Sequence, residues 1–175
     1  DESSNIAKEI EKNYENVKYF KKNINEGKGS AVIYGYTKIS SSHVIVHDAD
    51  LEYDPNDIKK LKDLSLKNQD ALILGSRTIG SLNRTKKYKH LVIGNKIISK
   101  FFSTINNLEV SDISTCYMLY SNKFIKESKI SEKKFGIEIE ILSKFVKSKN
   151  EIIETPISYS GRSYSEGKKI TFKDG

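Results

Sequence analysis

The stretch Val44-Ile45-Val46-His47-Asp48-Ala49-Asp50-Leu51-Glu52-Tyr53-Asp54-Pro55 constrains this chain more than any other. Its apolar, β-branched start reads as a buried strand. The run stops at two carboxylates two residues apart. In an extended chain such residues point the same way, so Asp48 and Asp50 are expected to converge on one hard cation, with Glu52 continuing the spacing. Pro55 suits the first turn of a helix that Asn56-Asp57-Ile58 carries forward. Carboxylates at the carboxyl end of a central strand stand where open α/β sheets bind ligands. A bare Asp-x-Asp also suits a solvated acidic turn; the strand before it and the helix after it favour a metal site.

The remaining pattern alternates strands and helices, which predicts a layered α/β domain with a mostly parallel sheet. Ser3 or Ser4 is expected to cap a helix to about Asn13, with Ile6, Ala7, Ile10 and Tyr14 at helical spacing. Val17 to Phe20 reads as a short strand. The loop Asn23 to Gly29 opens a helix from Ser30 to about Ser40. Its Gly-Lys-Gly can bring backbone N–H groups and the Lys28 ammonium to a phosphate, or be only a turn. After the acidic stretch come a helix (Pro55 to Asn68), a strand (Ala71 to Leu74) ending in Gly75-Ser76-Arg77, and a basic loop holding Arg84. A helix from His90 to Ile105 has Leu91, Ile97, Ile98, Phe101 and Phe102 as its expected core positions. Asp112 opens Asp-Ile-Ser-Thr-Cys-Tyr, leading to a strand from Tyr117 to Tyr120. In the helix after Phe135-Gly136, Ile137, Ile141, Leu142 and Phe145 share a face. Glu138 and Glu140 are either catalytic or simply favourable to that helix's dipole. A last strand, Glu151 to Tyr159, precedes a basic tail.

The length of 175 residues fits one domain, residues 1–175. Charged residues make up 30% of the chain and the mean hydropathy is negative, as expected of a soluble globular protein. No apolar run is long enough for a membrane span and no secretory signal opens the chain. The lone Cys116 permits no internal disulfide, fits a reducing, cytoplasmic compartment, and reads as a buried thiol. The formal charge of +7 points to anionic partners. With no RNA-binding motif, and with lysine spread through an Ile- and Asn-rich composition, nucleic acid is not expected among them. His43, His47 and His90 have no metal-ligand spacing.

Taken in order, several segments resemble family 2 glycosyltransferases of the GT-A fold, above all the polyprenyl-phosphate (dolichol-phosphate) hexosyltransferases that transfer mannose or glucose. The matching segments are 25–31, 47–55, Gly75-Ser76-Arg77, Gly94-Asn95, Asp112 to Tyr117, Phe135-Gly136 with Glu138 and Glu140, 154–159, Arg162, 166–170 and Asp174-Gly175. The resemblance implies a three-layer α/β/α domain with a mixed, mostly parallel sheet. It also implies a UDP- or GDP-linked sugar donor held through its diphosphate on Mg²⁺ or Mn²⁺. The acceptor would be a polyprenyl phosphate, met by a protein peripheral at the inner face of the membrane. By the same resemblance Asp48, Asp50 and Glu52 contact metal and nucleotide, and Lys28 lies on the donor side. Arg77, Arg84 and Arg162 hold the diphosphate and acceptor phosphate, Asp112 sits near the acceptor, and Lys168 and Lys169 close over the phosphates. Arg77 and Arg162 are expected to face phosphates rather than the core. An ionised phosphate acceptor needs little help from a base, so Asp112 is expected to orient it in an inverting transfer.

The resemblance starts late. Family members open with two strands that hold the nucleotide base and ribose, and this chain begins after them. It is therefore expected to be an N-terminally truncated domain, inactive alone, with Val17–Phe20 and one edge of the Val44–His47 strand unpaired. The rival functions are a non-catalytic sugar-nucleotide or lipid-phosphate binding module and a nucleotidyltransferase.

Overall fold

The computed structural model describes residues 2–79 and 89–162, the side chains of 89 and 90 excepted. Ten elements follow in order: α1 (Ser3–Asn13), α2 (Lys28–Tyr36), β1 (His43–Ile45), α3 (Asp57–Lys67), β2 (Leu72–Ser76), α4 (Lys89–Asn106), β3 (Met118–Ser121), α5 (Asn122–Glu127), α6 (Ile137–Ser148) and β4 (Ile152–Pro156). The sheet order is β1-β3-β2-β4. β3 runs antiparallel to both β1 and β2, while β2 and β4 pair in parallel from Leu72↔Ile152 to Ser76↔Pro156. Three strands thus point one way and β3 is inserted against them, which makes the sheet mixed.

Alternation along the strands sorts the core into two layers. Leu72, Leu74, Met118 and Tyr120 face α5 and α6, meeting Phe124, Ile137, Ile141, Leu142 and Phe145. Ile73, Leu119 and Tyr117 face the other way, onto Leu61 of α3 with Tyr53 and Ile157. This is the expected three-layer α/β/α arrangement. Ile137, Ile141, Leu142 and Phe145 of α6 are all buried, so helical spacing located that face correctly.

Four sequence expectations are corrected. Of the Val44–His47 segment only Val44 and Ile45 lie in a strand, β1, which is half-buried and at the sheet edge, paired only with β3 among the described residues. Val17–Phe20 forms no strand and joins no ladder. It is held instead by side chains, with the Tyr19 N–H on Glu11 and the Tyr19 hydroxyl on Ser4. Neither Ser3 nor Ser4 caps α1; Glu2 is the N-cap residue, without a side-chain bond, and α1 has no buried residue.

The fourth correction concerns α4. Ile97, Ile98 and Phe101 are exposed, at 63%, 45% and 67%, whereas Ser99 and Ser103 are buried. The backbone of the loop that follows explains the reversal. Ser103 Oγ accepts from the Val110 N–H at 3.1 Å and donates to the Val110 carbonyl at 3.0 Å. Ser99 Oγ accepts from the Ile113 N–H at 3.2 Å. Buried backbone groups need partners, and the polar stripe of α4 supplies them. Of the five expected positions, Phe102 is the one that packs against the core cluster.

Candidate active site

Three ionic groups lie along one edge of the sheet, at the carboxyl ends of β1, β2 and β4. Because β3 is reversed, the segment that leads into it arrives at the same edge. The acidic stretch does not stay extended past His47. Ala49 and Asp50 form a turn, Leu51 takes a left-handed φ of 62°, and Asp50 Oδ1 accepts from the Glu52 N–H at 3.1 Å. This turn cancels the period-2 alignment, so Asp48 is separated from Asp50 and Glu52. Among the described residues no three carboxylate, imidazole or thiol groups are gathered to hold a metal ion.

Asp50 and Glu52 share a partner. Arg162 NH2 lies 3.1 Å from Asp50 Oδ2, and its Nε lies 3.4 Å from Glu52 Oε1. The Arg162 backbone N–H donates to the same Glu52 oxygen at 2.9 Å, and the Tyr159 hydroxyl donates to the other at 2.5 Å. Two carboxylates therefore already converge on one cationic group. As hard oxygen donors they fit a divalent cation, with further positions left for phosphate oxygens or water. Asp48 is directed elsewhere, to the Lys28 ammonium at 2.7 Å.

The Gly-Lys-Gly loop is no open phosphate cradle. The Gly29 and Ser30 N–H groups donate to the Lys134 and Lys133 carbonyls at 3.2 and 2.9 Å. A Cβ on Gly29 would stand 2.1 Å from the Glu132 carbonyl oxygen, so glycine is required for this close approach. Lys28 itself is held between Asp48 and Glu138, each at 2.7 Å. Burial opposes its charge, but the Glu138 and Asp48 carboxylates outweigh burial and raise the Lys28 pKa.

Arg77 turns inward from the end of β2 onto Asp112, a fully buried carboxylate. Its Nε and NH2 reach Asp112 Oδ2 and Oδ1 at 2.8 and 2.7 Å, and its backbone N–H reaches Oδ2 at 2.9 Å. Asn95 Nδ2 adds a donor to Oδ1 at 2.8 Å. Burial alone would raise the Asp112 pKa, but the Arg77 charge and these donors hold it below the usual carboxylate value. The guanidinium also stacks over Tyr159, 5.1 Å from its centroid. Tyr159 thus joins the Arg77–Asp112 pair to the Arg162–Glu52 group.

Sequence reasoning missed several contributors to this edge. Asn95, Ser99 and Ser103 recur every fourth residue and form the α4 stripe that fixes the backbone around Asp112; a row of small polar residues at helical spacing was the available signal. Glu154 accepts from both the N–H and the hydroxyl of Ser111, at 2.9 Å each, pinning the residue before Asp112. Cys116 donates to the Val46 carbonyl, and burial pushes its thiol up to about 12, so it is an inert core thiol as expected. Arg84, Lys168 and Lys169 lie outside the described residues.

Residues 1–128 match the glycosyl transferase family 2 profile. The chain belongs to glycosyl transferase family 2. It is 27% identical over 164 residues to a dolichol-phosphate mannosyltransferase of Pyrococcus furiosus, covering 93% of this chain and 46% of that protein. A low-salt glycan biosynthesis hexosyltransferase of Haloferax volcanii is 25% identical over 151 residues, 86% of this chain and 36% of the relative. The chain therefore spans less than half the length of the curated relatives it matches. In fold, this family 2 chain resembles glucosyl-3-phosphoglycerate synthase from Mycobacterium tuberculosis, solved in complex with UDP. The TM-score is 0.61 at 14% identity, over 84% of this chain and 49% of that one. The likeness shows the GT-A fold.

Proposed function

We propose that this family 2 chain contributes to the transfer of a hexose from a UDP- or GDP-linked donor to a polyprenyl phosphate, with inversion. The observation that carries the reading is the guanidinium of Arg162 set between Asp50 and Glu52, within one residue contact of the Arg77–Asp112 pair. A nucleotide sugar brings a diphosphate, which a guanidinium fork binds bidentately. Arg162 would leave the carboxylates for the diphosphate oxygens and stabilise the charge that grows on them as the glycosidic bond breaks. Asp50 and Glu52 would hold Mg²⁺ or Mn²⁺. A divalent cation there supplies positive charge against the departing diphosphate.

Asp112 serves as an orienting group in this reading. Its depressed pKa and its donors from Arg77 and Asn95 make it a weak base, and a phosphate acceptor is already ionised. A membrane-surface acceptor is supported by the outer face of α4, where Ile93, Ile97, Phe101 and Ile105 are exposed four residues apart. That helix contains lysines and no acidic residue, a composition suited to an anionic interface. Among the described residues no helix is long and apolar enough to cross a membrane.

Titration calorimetry of UDP and GDP in the presence of Mg²⁺ tests the donor side. Binding should be lost in Asp50→Asn and weakened in Arg162→Ala. Binding by Asp50→Asn equal to the parent would sink the assignment. Hexose transfer to polyprenyl phosphate in vesicles, assayed with both donors, tests the acceptor.

A further inference from the structure

The first carboxylate of the acidic stretch is anchored by residues distant from it in the chain. Lys28 is the first residue of α2, and its ammonium bridges Asp48 Oδ2 and Glu138 Oε1, at 2.7 Å each. We propose that Glu138 is a positioning residue, which holds the Lys28 ammonium so that Asp48 keeps one orientation and retains negative charge at the donor-binding edge. The inference rests on the donor-binding reading above and extends it to a residue that touches no ligand.

Charge and mounting both support this role. One ammonium between two carboxylates leaves the triad with a net single negative charge. Without Glu138, Lys28 would neutralise Asp48 alone, and Asp48 would become a poorer acceptor for a sugar or ribose hydroxyl or for a cation. Glu138 is also rigidly carried. It lies in the first turn of α6, between the buried Ile137 and Ile141. Two residues on, Glu140 accepts from the Ser131 and Glu132 N–H groups and ties the preceding loop to the helix. That loop packs on Gly27 and Gly29, which flank Lys28. Glu138 and Lys28 are thus fixed relative to each other by backbone contacts, and both side chains are mostly buried, at 12% and 19% exposure. Such a pair has no freedom to follow Asp48; Asp48 follows it.

The competing role for Lys28 is direct contact with phosphate. The two roles predict opposite effects of neutralising Glu138. If Lys28 positions Asp48, Glu138→Gln weakens nucleotide binding. If Lys28 serves phosphate, the same change releases it and tightens binding.

The test uses the chain labelled with ¹⁵N-lysine, together with calorimetry of UDP and GDP in Mg²⁺. The wild type should show a slowly exchanging Lys28 ammonium signal that is lost in Glu138→Gln and in Asp48→Asn and partly restored in Glu138→Asp. Glu138→Gln should weaken nucleotide binding at least about fivefold, and the Glu138→Gln/Asp48→Asn double variant should lose no more than the worse single change, as expected of coupled residues. The melting temperature of Glu138→Gln should stay within about 3 °C of the parent; if that variant does not fold, Glu138→Ala carries the same comparison. Unchanged or tighter binding by Glu138→Gln, or fully additive losses in the double variant, overturns the proposal. Failure of the wild type to bind either nucleotide removes the donor-binding reading instead. The ammonium signal then judges the clamp alone, and its persistence in Glu138→Gln overturns it.

Discussion

Replacing Ser103 by alanine should destabilise this domain far more than replacing Ile97 by serine, the reverse of what hydrophobicity suggests. Ser103 is 7% exposed, and its hydroxyl both accepts from the Val110 N–H and donates to the Val110 carbonyl. Alanine leaves two backbone groups without that partner. Each buried, unsatisfied polar group costs about 1–3 kcal/mol, so the loss should be about 2–6 kcal/mol. Ile97 is 63% exposed. Full burial of an isoleucine contributes about 1.5–3 kcal/mol, so the third that is covered contributes less than about 1 kcal/mol. Urea unfolding followed by far-UV circular dichroism measures both, and an unchanged m-value confirms that stability alone has moved. For a chain of this size the Ser103 variant should melt roughly 4–24 °C lower. If Ile97→Ser costs more than Ser103→Ala, α4 packs its apolar face inward and the account of the loop around Asp112 fails.

Three further outcomes follow from the same contacts. Gly29→Ala should destabilise by more than about 2 kcal/mol, because its Cβ would overlap the Glu132 carbonyl, whereas Gly35→Ala, with open space at its Cβ, should stabilise α2 by roughly 0.5–1 kcal/mol in thermal melts. Asp112 has a folded-state pKa below its unfolded one, so its contribution is fully present above about pH 4 and is lost as pH falls through the folded value. Asp112→Asn should therefore flatten the acid limb of a stability–pH curve, and Arg77→Lys, which loses the fork, should destabilise at neutral pH by about 1–3 kcal/mol. Arg162→Gln should bind Mn²⁺ more tightly than the parent in electron paramagnetic resonance titrations, since the guanidinium no longer occupies Asp50 and Glu52; weaker binding would mean that Arg162 organises those carboxylates instead of competing for them.

The layers of this fold were legible because they depend on local periodicity. Ile137, Ile141, Leu142 and Phe145 declare their face within a few residues, and the apolar run from Ala71 to Leu74 declares a strand. The same logic failed at α4, where a hydrogen-bond demand from residues 110–113 decides which face turns inward. That demand is created by a loop beyond the helix and leaves no trace in helical spacing. The acidic stretch failed for a related reason. Alternation holds only while the chain is extended, and Leu51, a non-glycine residue at positive φ, ends the extension without a compositional sign. The expectation that Arg77 faces phosphate did not include Asp112, thirty-five positions on. The motif residues were identifiable in the sequence; their pairings are long-range and were not.

Those pairings also bear on how the proposed chemistry would be controlled. Asp48 is held by Lys28, Asp50 and Glu52 by Arg162, and Asp112 by Arg77. A simple anion approaching this edge must draw Arg162 from two carboxylates and leave them facing each other, which largely cancels its attraction to the guanidinium. A simple cation must displace the same guanidinium and leave it without a carboxylate. A ligand that carries both signs escapes both penalties, because it supplies a new partner to each side of the pair it breaks. In the proposed reaction a diphosphate accompanied by its divalent cation has that property, and neither component alone does. The coupling is reciprocal, as any binding linkage must be. Nucleoside diphosphate should therefore raise the affinity for Mn²⁺ by the same factor by which Mn²⁺ raises the affinity for nucleoside diphosphate. That factor should shrink towards one in Arg162→Gln, where there is no pair left to exchange.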